Sequence, residues 1–177
     1  MGGWDIWNRL MAMAGGSAPI RRGMFGAPSR ATQPAHYYST LSRVIPCAAT
    51  DAQINDLARR FAAPGQPDRP IGNGEILPAS VAGVQGHIRS TYYPKYGEAD
   101  NSVISTLNVT QRDHPLHNGS VMRDWFRGKD GAIWVQTVGR GVNKTDSIAG
   151  LNQLVGGPIF DDLDARAAAY AARNICR

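Results

Sequence analysis

Apolar residues recur at helical spacing in TDAQINDLARRFAA, where Ile54, Leu57, Ala58 and Phe61 fall on one stripe. Thr50 stands where an N-cap belongs and Asp51 where the helix dipole favours an acid, so a helix is expected to start there. A second stripe of Phe160, Leu163, Ala167 and Tyr170 runs through IFDDLDARAAAYAARNI, with acids in its opening turns and Arg residues later. DDLD at 161–164 reads as the opening of that helix rather than as metal ligands. Between the two helices the pattern becomes that of strands. SVISTLNVT at 102–110 is β-branched and bounded by polar residues. SVMRDWF at 120–126 and AIWVQTV at 132–138 follow, and the RGKDG between them contains the hairpin signal Asp130-Gly131. In the last run Ile133, Val135 and Thr137 share one face and Trp134, Gln136 and Val138 the other, so at least one side of the sheet should pack against helices. The expected fold is α+β, a small antiparallel sheet of three or more strands over about 102–138 flanked by N- and C-terminal helices.

The pattern fades toward the N-terminus. WDIWNRLMAMA at 4–14 is amphipathic, and residues 15–36 are rich in Gly, Ala, Ser and Pro without a steady period. Residues 1–37 therefore read as an extension holding a short amphipathic helix and a linker, with one compact domain at 38–177. PGQPDRPIGNGEILP at 64–78 supplies turn chemistry over a length that suggests a clamped or functional segment.

Composition adds two constraints. A hydrophobic content of 42% supports a real core, and no stretch approaches the roughly 18–20 apolar residues of a membrane-spanning helix. The opening segment lacks the basic leader and long apolar centre of a secretory signal, and Arg21-Arg22 has no apolar run behind it, against twin-arginine export. The net charge of +5 is the direction expected of a protein that meets phosphates or other anions, although its Arg residues are spread along the chain. The two cysteines, Cys47 and Cys176, are a disulfide candidate. A bridge closing so long a loop would contribute about 4–5 kcal/mol and imply an oxidising compartment; the alternative is two thiols in the cytosol. No spacing suggests structural zinc, and no cofactor is expected.

The densest polar stretch is QRDHPLHNGSVMR at 111–123. His114 and His117 could divide general-acid and general-base roles while Arg123 holds an anion, a set that suits phosphodiester cleavage without a metal. The same loop could equally be a rigid turn carrying structural histidines. QTVGRGVNKT follows at the exit of the last strand, with Thr137 joining the catalytic set and Arg140, Asn143 and Lys144 as substrate-binding candidates beside Gly139 and Gly141. It matches neither the Walker nor the dinucleotide glycine pattern. If the strands form an antiparallel meander, the loop before 120 and the loop after 138 emerge at one end of the sheet, bringing His114, His117, Thr137, Arg140 and Lys144 within reach of one another.

Weaker arrangements are HPLH with Asp113 as metal ligands, Cys47 with His87 or His114 as a nucleophile and base, and the tyrosines of HIRSTYYPKYGE as a stacking surface. Asn108, Asn118 and Asn143 each head an NxS/T triplet, read as chance in the absence of a signal sequence.

The stretch DHPLHNGSVMRDWFRGKDGAIWVQTVGRG, followed by GLNQL and IFDDLDARAAAY, resembles the C-terminal toxin or effector domains that bacteria deliver into competitors by contact-dependent or type VI secretion. It spans residues 113–170. The resemblance implies an antibacterial protein exported without a signal peptide, cytoplasmic in its producer, with a cognate immunity protein as partner. It also implies hydrolytic chemistry, foremost a metal-independent RNase acting on RNA; NAD-consuming and cell-wall-hydrolysing toxins belong to the same group. The other class left open is a noncatalytic interaction module of a secretion or phage-like assembly, docked through 4–14 onto a carrier.

Overall fold

The computed structural model describes residues 35–81, 84–94, 101–114, 116, 117, 119–142 and 146–177. The amphipathic segment at 4–14, the linker, Asn143 and Lys144 lie outside them. Eight elements follow in order: β1 (Ala35–Ile45), α1 (Asp51–Arg60), β2 (Glu75–Val81), β3 (Val84–Pro94), β4 (Ser102–Thr110), β5 (Gly119–Arg127), β6 (Ile133–Val142) and α2 (Asp146–Asn174). The strands form one antiparallel sheet in the order β1-β6-β5-β4-β3-β2.

The expected α+β arrangement, a small sheet over 102–138 flanked by helices, is therefore corrected. The described domain is mostly β, with six strands and two helices. Nor do the helices flank the sheet: Ala62, just past α1, and Asp164 of α2 bond to Asn108 and Arg123, whose positions point to the same face. The three strands absent from the sequence reading are β1, β2 and β3. In β1 and β3 the inward positions include Tyr38, Thr40, Ser42, Gly86 and Ser90, so apolar alternation is missing there, and in β2 the inward Leu77 and Ala79 alternate with the outward Ile76 and Pro78, so no polar face marks it. Pro78 sits in β2, which tolerates it because β2 is an edge strand with one row of backbone groups unpaired.

The three expected strands are present as β4, β5 and β6, and Gly131 (φ 79°) supplies the left-handed residue between the last two. The expected helix at Thr50 is α1. Its capping box is complete: the Gln53 N–H donates to Thr50 Oγ1 (3.2 Å) and the Thr50 N–H to Gln53 Oε1 (2.9 Å). The C-terminal helix begins earlier than its acids suggest, at Asp146, so DDLD lies inside it and Asp164 falls on its buried stripe with Phe160, Leu163, Ala167 and Ala171.

Ile54, Leu57 and Ala58 of α1, Ala167 and Ala171 of α2, and Ile104, Trp125, Ile133 and Val135 of the sheet make the main core. Cys47 and Cys176 pack against it and are joined by a disulfide, with Cα atoms 5.7 Å apart. The turn-rich segment after α1 is clamped. Gln66 donates to the Arg59 and Arg60 carbonyls and accepts from the Ala63 N–H, while Ile71 is fully buried.

Candidate functional site

Across four strands, Thr40, Thr137, Arg123 and Thr106 stand in register on the face covered by α2. Arg123 is fully buried, which a cation tolerates only with a counter-charge and hydrogen bonds. Asp164, 3% exposed, supplies the charge: Arg123 Nη2 donates to its Oδ1 at 2.6 Å, and Nη1 donates to Thr137 Oγ1 at 3.2 Å. The guanidinium also lies over the Phe160 and Trp125 rings, at 5.4 and 5.7 Å from their centroids. Burial lowers its pKa from the ordinary arginine value, and the Asp164 charge opposes that shift. Arg123 and Thr137, two of the four catalytic candidates, are thus brought together as an enclosed structural pair. Their interactions secure α2 to the sheet.

His114 and His117 occupy the connection between β4 and β5, which is folded into successive turns by the bonds His114 N–H to Gln111 O, His117 N–H to His114 O and Gly119 N–H to Leu116 O. The connection is fastened to β3 at two levels. Asp113 Oδ2 lies 2.5 Å from His87 Nδ1 on the exposed side, and this contact holds the Asp113 carboxyl below its usual range. On the other side His114 turns inward, 3% exposed, and lies against Gly86. A Cβ on Gly86 would come within 2.6–2.9 Å of His114 atoms, so a side chain there would displace the histidine. The Leu116 N–H donates to His114 Nδ1 (3.1 Å), which leaves the ring proton on Nε2. Burial lowers the His114 pKa, the Asp113 charge raises it and His117 lowers it, a balance that favours neutral imidazole. His117 Nδ1 lies 3.4 Å from the Thr110 carbonyl and donates to it.

Gly119 of β5 pairs with Gly141 of β6, so the 111–118 connection and the exit of β6 leave the sheet at the same end. Arg140 stands there opposite Ser120, but three positions from Thr137, so it projects from the face opposite Arg123. Asn143 and Lys144 lie outside the described residues.

Between this connection, the inner face of the sheet and α2 lies a cleft with about 60 Å³ of interior room, open to solvent. Its walls are mainly apolar, with Ala79, Ile88, Leu116 and Phe160 among them, and Tyr38, Asn108 and His114 as polar members. Asn108, 4% exposed, is already bonded at both ends of its amide: it accepts from Ser90 Oγ (2.6 Å) and donates to the Ala62 carbonyl (2.7 Å). Tyr38 stacks on Phe160 at 5.9 Å between ring centroids, and its ring occupies the space where a Gly139 side chain would be. Burial raises the Tyr38 pKa, outweighing the nearby Arg123 charge, so the phenol is neutral.

Sequence reasoning missed Tyr38, named His87 only as a possible base for Cys47 and Asn108 only as the head of a triplet, and read Asp164 only as part of a helix opening. Only Asp164 had an available signal, as an acid on the apolar stripe of a helix, where it needs a cationic partner. Among the described residues no cluster of three or more His, Cys, Asp or Glu side chains could hold a metal, and Cys47 is not a free thiol.

No protein-family profile matches the chain, and no curated protein does. Solved structures similar in backbone only include these three. Ara h 8.0201 is 12% identical with a TM-score of 0.41, over 76% of this chain and 99% of its own. A protein of Thermobifida fusca is 13% identical with a TM-score of 0.46, over 80% and 95%. A hypothetical protein of Helicobacter pylori is 9% identical with a TM-score of 0.38, over 86% and 99%. No described helix is long and apolar enough to cross a membrane.

Proposed function

We propose that this domain binds a small, mainly apolar molecule in the cleft between the inner face of its sheet and α2. The observation that carries the reading is the cleft itself: an apolar concavity, framed by rigid elements, with a few fixed polar groups in its wall. By volume it would hold about four waters, or the single-ring or branched-alkyl end of a larger molecule whose remainder projects through the mouth. The disulfide supports work in an oxidising compartment, outside the cytosol of the producing cell. Titration of the full chain with single-ring compounds, followed by amide NMR, tests the reading. Shifts should converge on Ile88, His114 and Phe160 and vanish in Ala79→Leu, which fills the cleft. Shifts scattered over the surface, or unchanged in Ala79→Leu, would overturn it.

A second reading, the hydrolytic antibacterial toxin with RNA as substrate and an immunity protein as partner, is supported by one arrangement. His117 and the Asp113-oriented His87 lie in or beside the same connection, and His87 is half exposed. An imidazole held by a carboxylate at Nδ1 presents Nε2 as a proton acceptor. Arg123, enclosed with Asp164, would act there only through the fold. Expression of the full chain in a bacterial cytoplasm that permits disulfides tests this reading: growth arrest with loss of RNA, relieved in His87→Ala or His117→Ala, is its expected outcome, and harmless expression of the folded, disulfide-bonded protein would remove it.

A further inference from the structure

We infer that the cleft selects a neutral molecule carrying a hydrogen-bond-accepting oxygen of the carbonyl kind, and that His114 Nε2–H receives that oxygen. The inference rests on the reading of the cleft as a binding site and deepens it. A buried polar wall group that lacks a protein partner selects a ligand atom of opposite hydrogen-bonding sense, because leaving it unmatched in a filled, dry site costs free energy.

The wall groups can be taken in turn. Asn108 is bonded at both ends of its amide. Thr110 Oγ1 lies 2.9–3.0 Å from the Gly119 and Leu116 carbonyls and accepts from the Gly119 N–H. The His114 ring accepts the Leu116 N–H at Nδ1, which fixes the proton at Nε2, and Nε2 has no hydrogen-bond partner among the described residues. The ring cannot turn away readily, because it rests on Gly86 and the flanking turns hold its backbone. The Tyr38 hydroxyl likewise has no hydrogen-bond partner among the described residues and can rotate to either sense. Ser120 stands at an outward position of β5, opposite Arg140, so the inner wall presents one fixed neutral donor and one adaptable hydroxyl.

Charge argues in the same direction. Among the described residues no Lys or Arg lines the cleft, and Arg123, whose charge reaches Tyr38, is bonded to Asp164, so a ligand anion would lose its hydration without gaining a free counter-ion. A neutral donor group would meet the His114 N–H head-on. A ketone, ester or ether oxygen satisfies the donor and leaves an apolar body for Ala79, Ile88 and Phe160.

The test compares cyclohexanone with methylenecyclohexane, its hydrocarbon isostere, and with cyclohexanecarboxylate, by NMR titration of the full chain. The expected result is binding of both neutral probes, with the ketone tighter by about five- to tenfold, the free energy of one net hydrogen bond. His114→Phe, which keeps a ring but removes the donor, should bring the ketone to the hydrocarbon's affinity. If that variant does not fold, the wild-type imidazole nitrogens give the answer: His114 should be protonated at Nε2, and that resonance should move with ketone and stay with hydrocarbon. Equal affinities, a preference for the carboxylate, or a proton at Nδ1 would overturn the inference and leave the cleft reading intact. Failure of every probe to bind would overturn both.

Discussion

At the residue scale, the enclosed Arg123–Asp164 pair is a point of high sensitivity. Removing one member leaves the other charge buried, so Asp164→Ala should destabilise the fold by about 3–5 kcal/mol in chemical denaturation. Arg123→Leu combined with Asp164→Leu should recover much of that loss, because two apolar side chains carry no desolvation penalty. The pair has unmet capacity as well: Arg123 Nε, Asp164 Oδ2 and the nearby Thr40 and Thr106 hydroxyls have no hydrogen-bond partner among the described residues, and ordered waters there would satisfy them. Two titrating groups beside the β2–β3 pair make the domain sensitive to acid. Arg69 and the Gly72 N–H hold Glu75 at about 2, below its ordinary 4.5, so the stability from that contact is complete above pH 4.5 and is lost as the pH falls toward 2. Arg69→Ala should therefore be less stable than wild type at pH 6 and equal to it near pH 2. His114 behaves with the same sign from a different cause. Its depressed pKa means that the open connection takes up a proton more readily than the closed one, so lowering the pH below about 6.5 should reduce the protection factors of the Leu116 and Gly119 amides. That loss of protection should be absent in His114→Phe.

At the element scale, what could be read from the sequence depended on where polar residues face. α1, β4, β5 and β6 were legible because their cores, such as Ile54 and Leu57 or Ile133 and Val135, keep a regular period. β1 and β3 were hidden because their inner face serves the cleft and the buried polar row, with Tyr38, Thr40 and Ser90 where a plain sandwich would place Val or Ile. The candidate site divided in the same way. The shared end of the 111–118 connection and β6 followed from antiparallel pairing alone, but strand parity separates Arg140 from Thr137. The partnership of His87 with Asp113 spans 26 residues and needed β3 to be recognised first. These close strand-to-connection contacts make two glycines sensitive. Gly86→Ala should push His114 out of place and Gly139→Ala should displace Tyr38, each costing about 1–3 kcal/mol through overpacking. Gly86→Ala should also abolish ketone preference in the cleft, whereas Thr50→Ala, a pure loss of cap worth about 1 kcal/mol, should leave it unchanged.

At the scale of the whole molecule, the six strands and two helices are joined by few long connections, and the sheet's two terminal strands in order, β1 and β2, are separated by α1 rather than paired. The fold is closed instead by its last helix, which packs along β1 and is followed by Cys176, bonded to Cys47 two residues past β1. The chain-entropy model assigns about 5 kcal/mol to a disulfide closing so long a loop, so reduction should lower the melting temperature by many degrees without altering the order of strands. The bond also changes what a protease can do. Cys47 and Cys176 are 129 residues apart, and nearly every described element lies between them. A single cut anywhere in that span opens the backbone but releases no fragment, so a nicked molecule keeps its full mass under non-reducing conditions and separates into two pieces only when the thiols are restored.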